Sequence, residues 1–160
     1  MTRIALAATL ALLAALGLPA HAQEDKAGVA AAVNPEASSA APNEQMQILH
    51  VGQNVIRNER ITTQAQGQVQ LLFVDGSTLT LGPNSEIVID EFVYDPKKQT
   101  GSMTATVAAG LMRYVGGKIS KTKAVNFNTP SGVITVRGGI SIIRVNRPGA
   151  AAEGNPAKTE

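Results

Sequence analysis

The sequence predicts an all-β domain: a compact β-roll, stacked-hairpin or sandwich-like unit of about 9–12 short strands, with disordered N- and C-terminal tails. Three observations support this. Apolar residues recur with a period of two, as in Val69, Leu71 and Phe73 against Gln68 and Gln70. Turn dipeptides rich in Gly, Pro, Asn and Asp punctuate the chain at short intervals. No segment carries a convincing amphipathic helical pattern.

The chain begins with Met1-Thr2-Arg3 and an apolar run from Ile4 to Leu18, broken by Pro19. Ala20-His21-Ala22 supplies small residues at the positions a signal peptidase requires, so residues 1–22 read as a signal peptide cleaved after Ala22. The run is shorter than the roughly 20 apolar residues that span a bilayer, which argues against stable membrane insertion after cleavage. The expected location is therefore periplasmic or secreted. Residues 23–45, rich in Ala, Pro, Ser and Asn, read as a flexible leader in which Lys26–Val33 is at most transiently helical. Residues 147–160, with two prolines and two glycines, read as a disordered tail. Between them, residues 46–146 hold nearly every branched and aromatic side chain and form the folded domain.

Within that block, Val69–Val74 and Ser77–Leu81 flank Asp75-Gly76, whose dihedral preferences suit a tight hairpin turn. Gly82-Pro83-Asn84 leads into Glu86–Asp90. Further runs follow at Phe92–Tyr94, Ser102–Val107, Gly110–Val115, Ala124–Phe127, Val133–Val136 and Ile140–Val145. The turns between them are expected at Asp95-Pro96-Lys97-Lys98, Ala109-Gly110, Gly116-Gly117-Lys118, Thr129-Pro130-Ser131-Gly132 and Gly138-Gly139.

Composition excludes several functions. The chain has no Cys, so neither disulfides nor thiol chemistry operate. The formal net charge is only +2, and nothing at that level points to nucleic acid. With His21 removed, His50 is the sole imidazole, too few for a zinc site or a catalytic triad. Asp90, Glu91 and Asp95 lack the spacing of a calcium loop and read as strand-edge acids. No cofactor, metal or catalytic residue is expected. Ser120-Lys121-Thr122-Lys123 matches Ser-x-x-Lys, the nucleophile pattern of penicillin-binding enzymes. Placed between a Gly-Gly turn and a strand, it reads instead as a charged β-turn with Ser120 and Lys123 pointing apart. Arg113, Lys118, Lys121 and Lys123, with Tyr114 among them, form the local basic cluster. It is either a solvated edge or a contact surface for an anionic partner.

The order of these features resembles the FecR domain family. The motifs are Gly52-Gln53-Asn54-Val55, Ile61-Thr62-Thr63, Asp75-Gly76-Ser77-Thr78-Leu79, Pro83-Asn84-Ser85, Ala109-Gly110-Leu111, Thr129-Pro130-Ser131 and Val136-Arg137-Gly138. The resemblance covers nearly all of residues 46–145. Through it Asp75, Gly76, Pro83, Thr129, Pro130, Arg137 and Gly138 gain structural roles, Arg137 as a pairing residue near the last turn. One departure stands out: Gly139 occupies the place of the family's usual threonine after Val-Arg-Gly. Family members that regulate iron uptake add a cytoplasmic anti-sigma segment and a membrane helix, neither of which this sequence displays. The resemblance implies a non-enzymatic exported module that contacts an envelope protein or anionic envelope polymer in sensing or assembly. Regulation of extracytoplasmic sigma-factor signalling and a Ser-Lys hydrolase or transpeptidase stand as alternatives.

Overall fold

The computed structural model describes residues 26–147 and residue 149. The expected signal peptide, and the expected tail apart from Arg147 and Gly149, lie outside the described residues. The all-β prediction holds. Among the described residues, twelve strands and one short helix follow in the order β1 (Lys26–Asn34), β2 (Ala37–Ala40), β3 (Gln47–Ile48), β4 (Asn54–Ile56), β5 (Arg60–Thr63), β6 (Gln68–Phe73), β7 (Thr78–Leu81), β8 (Glu86–Asp95), β9 (Thr100–Val115), α1 (Lys118–Thr122), β10 (Val125–Thr129), β11 (Gly132–Val136) and β12 (Ile140–Val145).

The strands form one curled, mainly antiparallel sheet ordered β3-β2-β5-β8-β9-β7-β6-β1-β4. The 16-residue β9 belongs to both halves of the curl. Its first part pairs β8 and, in parallel, β10; its last part, Gly110 to Val115, pairs β7 and β12. Inward residues from both halves meet in one core. Phe73 stacks on Phe92 with ring centroids 5.3 Å apart, and Tyr114 meets Phe127 edge-on at the same distance. Leu71, Leu79, Leu81, Ile87, Ile89, Met103 and Met112 fill the space between.

Three local expectations require correction and one is refined. Residues 26–45, the described part of the expected 23–45 leader, are not a flexible leader: β1 pairs β6 and β4, β2 pairs β5, and Ala27, Ala30 and Ala37 are completely buried. Small side chains let these strands lie close against the core, and their low bulk is what disguises them as leader. Ala109-Gly110 is not a turn but the bend inside β9. Gly110 has φ +114°, and a Cβ there would collide with Ser85, so the strand bends between the two halves of the curl at a position only glycine can occupy. Gly138-Gly139 turns the chain between β11 and β12 as expected, but the turn joins strands that do not pair, because β11 pairs β10 while β12 crosses to β9. Gly139, at φ +71°, takes a left-handed conformation that would strain the family's threonine. Finally, residues 118–122 form a helical turn rather than a β-turn.

Candidate functional site

The Asp75-Gly76-Ser77 turn exposes Gly76 but buries the residue on either side of it. The Gly76 N–H donates to the Phe73 carbonyl at 3.0 Å, and only Gly76 takes a positive φ, +81°. This is a type I turn completed by a left-handed glycine, not a two-residue turn with two positive φ angles. The geometry rolls Asp75 inward, where it is 2% exposed. Its carboxylate accepts from the Ser77 N–H at 3.0 Å, the Ser77 hydroxyl at 2.6 Å and the Ile119 N–H at 3.1 Å. Its main-chain carbonyl accepts from the Lys118 N–H at 3.0 Å.

Asp75 therefore caps α1 from a distant hairpin. The residue at the helix start, Gly117, offers no side-chain cap, and the first helical N–H groups turn to Asp75 instead. The other end closes on the helix itself: the Thr122 hydroxyl and the Lys123 N–H both donate to the Ile119 carbonyl, at 3.1 and 2.8 Å. Beneath the helix, the Tyr114 hydroxyl is buried beside Ser77, Ser120 and Gly117. It makes no hydrogen bond of ordinary geometry there. Burial pushes its pKa above the usual tyrosine value, and the neighbouring Asp75 carboxylate adds to the rise.

A second polar knot joins three of the sequence motifs. The Thr63 hydroxyl donates to the Gly82 carbonyl at 2.7 Å and accepts from the Ser85 N–H at 2.9 Å. The Ser85 hydroxyl in turn accepts from the Leu111 N–H at 3.2 Å. Pro83 and Asn84, the latter at φ +53°, shape the turn that presents Ser85. Thr129 closes the β10–β11 turn by donating to the Gly132 carbonyl at 2.8 Å, with Pro130 exposed at its tip. These motif residues build frame. Arg137 departs from its expected role: it is exposed, with no ion pair or hydrogen bond among the described residues.

The basic cluster divides between two elements. Arg113 stands mid-strand in β9, between Thr80 and Ile142 in register, and faces outward into a groove shared with Asn34, Gln68 and Gln70. Tyr114, the next residue, faces the core. Lys118 and Lys121 project from α1 and Lys123 follows directly, all three exposed. None of the three forms an ion pair among the described residues. The Ser-x-x-Lys geometry is also resolved. Ser120 is completely buried, its hydroxyl donating to the Gly117 carbonyl at 3.0 Å. Lys123 has already left the helix, with extended φ −131° and ψ 159°, and is exposed. A buried hydroxyl and a solvated amine cannot act as a nucleophile–base pair without rearrangement.

The acidic residues are engaged locally. Asp90 accepts from the Thr106 hydroxyl, Glu91 from the Ser102 hydroxyl, and Asp95 from the Lys97 and Lys98 N–H groups in the β8–β9 turn. His50 is exposed in a loop, its N–H donating to the Gln53 Oε1. Sequence reasoning missed the burial of Asp75 and the partnership of Ser77, Tyr114 and Ile119. The one available signal was an acid-Gly-Ser turn followed later by a helix start with no capping residue of its own.

No helix among the described residues is long and apolar enough to cross a membrane. No curated protein and no solved structure matches the chain. The family model described as FecR protein matches residues 59–153, more than half of the sequence, and spans both polar knots, α1 and the long β9. The chain belongs to the FecR family, whose setting is envelope and sigma-factor signalling.

Proposed function

We propose that this protein is a non-enzymatic, exported interaction module that captures an anionic partner in the cell envelope through the lysines of α1. The observation that carries the reading is the platform itself. Three solvent-facing lysines, Lys118, Lys121 and Lys123, stand on or beside a helical turn whose start is tied to Asp75 and whose last residue, Thr122, hydrogen-bonds the Thr100 hydroxyl of β9 at 3.3 Å. No acid neutralises them among the described residues. Cations on a rigid support offer charge with little ordering cost on binding. Lysines on a loose surface loop would lack that advantage, and lysines paired to neighbouring acids would lack the charge.

Triple charge reversal, Lys118→Glu with Lys121→Glu and Lys123→Glu, is expected to abolish capture of the partner by crosslinking in intact cells while leaving the fold intact. Capture undiminished by the triple variant rejects the platform. Labelling by a serine-reactive probe that Ser120→Ala eliminates would instead establish the hydrolase reading. N-terminal sequencing of the mature protein tests export: a start at Gln23 is expected, and a retained cytoplasmic segment would favour a direct sigma-factor regulator.

A further inference from the structure

Among the described residues, the six-residue β12 is the longest strand at a free edge of the curled sheet. β12 pairs with β9 on one side and with no strand on the other among the described residues. The other free edges among the described residues are shorter: β3 has two residues, β4 three and β11 five. β12 is Ile-Ser-Ile-Ile-Arg-Val, with neither proline nor lysine to discourage strand addition. Ile140 and Ile142 are 62% and 72% exposed, and Ile142 is the most exposed large apolar side chain among the described residues.

The phase of the hydrogen bonds shows which backbone groups face that edge. In β12 and β9, Ile140 stands opposite Val115 and Ile142 opposite Arg113. One step outside this register, the Gly116 N–H donates to the Gly139 carbonyl at 2.8 Å. Antiparallel pairs alternate between bonded and non-bonded, so residues 141, 143 and 145 spend their backbone groups on β9. The other side of β9 agrees: Gly82 donates to the Leu111 carbonyl, which turns residues 111, 113 and 115 toward β7. Residues 140, 142 and 144 therefore point their N–H and C=O groups outward from the free edge.

We propose that a second copy of this chain occupies the edge, with β12 of each copy pairing antiparallel about a two-fold axis at Ile142. In this register every edge-facing residue meets an edge-facing residue: Ile142 meets its own copy, and Ile140 meets Arg144 of the other chain. Each such pair exchanges two backbone hydrogen bonds. A dyad at Ser141 or Ile143 leaves one edge-facing residue at each end without a facing partner from the other β12. A dyad at Arg144 would set two guanidinium groups against each other. Ile140 and Ile142 then join an apolar surface across the dyad. One strand pair buries less than the roughly 1,200 Å² of a standard interface, so the dimer is weak and concentration-dependent. This inference is independent of the lysine platform, which lies on α1.

Two measurements test it. In sedimentation analysis the purified protein should shift from monomer to dimer with rising concentration. Ile142→Pro should weaken that association about tenfold or more, through loss of the dyad's two hydrogen bonds. The proline removes an edge-facing N–H rather than one bonded to β9, so the melting transition should persist. Ile142→Lys provides a second route, with like charges opposed at the dyad. Because the chain has no cysteine, Ile142→Cys gives a single reporter, with its Cα about 5.5 Å from its mate. A short bis-thiol crosslinker should join it into dimers much faster than it joins Val93→Cys, on the exposed face of β8. A protein that stays monomeric throughout, a dimer indifferent to both Ile142 variants, or equal crosslinking at the two cysteines would overturn the proposal.

Discussion

Asp75→Ala should cost far more stability than a hairpin residue normally would. The substitution removes the acceptor of three hydrogen bonds and leaves the N–H groups of Ser77 and Ile119 without partners. Both lie in a region where Ser77 and Ile119 are fully buried, so water cannot readily replace the carboxylate. Each stranded donor costs about 1–3 kcal/mol, and the total comes to roughly 3–5 kcal/mol. That is a large share of the ~5–15 kcal/mol that holds a domain folded. Urea unfolding followed by circular dichroism should register it as a midpoint lowered by roughly 2 M, taking an m-value in the ordinary range of ~1–3 kcal/mol per M. Asp75→Asn retains the shape and one acceptor oxygen and should lose about half as much. A loss below ~1 kcal/mol for Asp75→Ala would refute the capping role, because an exposed turn residue is expected to give such a value.

Two further outcomes follow from burial. The Tyr114 pKa is raised in the folded state, so the native protein keeps a proton that the unfolded chain releases above pH ~10. Stability is unaffected below that pH and falls as pH climbs toward the folded value; Tyr114→Phe should flatten this alkaline loss in thermal melts, and an unchanged slope would contradict it. Ala30→Asp, at a completely buried position in β1, should cost at least ~3 kcal/mol, whereas Ala31→Asp, exposed beside it, should stay within ~0.5 kcal/mol. Equal, negligible effects at both positions would restore the flexible leader.

Much of this architecture is legible in the sequence because period-two alternation and turn chemistry are local signals. Val69, Leu71 and Phe73 announce β6 on their own, and Thr129-Pro130-Ser131-Gly132 announces a turn. What escapes notice depends on distant partners. The buried residues of β1 are two alanines and a glycine, whose burial is decided by the β6 it lies against, not by their own hydrophobicity. Gly110 looks like a turn glycine until Ser85 is seen crowding it inside a continuous strand. Asp75 reads as a solvent-facing turn acid because its partner, Ile119, lies 44 residues away. The lysines were visible as a cluster, but their division from Arg113 depends on the alternation of β9, which turns Arg113 out and Tyr114 in.

The Asp75-Gly76-Ser77 motif ties down the helical turn that carries the proposed partner-binding lysines. A photoreactive amino acid placed at Lys121, compared with one at Lys98 in the β8–β9 turn, tests that claim in living cells. Both sites are exposed and basic, but Lys98 lies 4.0 Å from the Asp95 carboxylate while Lys121 stands free of any ion pair among the described residues. The account predicts a discrete crosslinked partner from position 121, weakened by charge reversal at Lys118 and Lys123, and none from position 98. Adducts from position 98 alone, or from neither position, would contradict it.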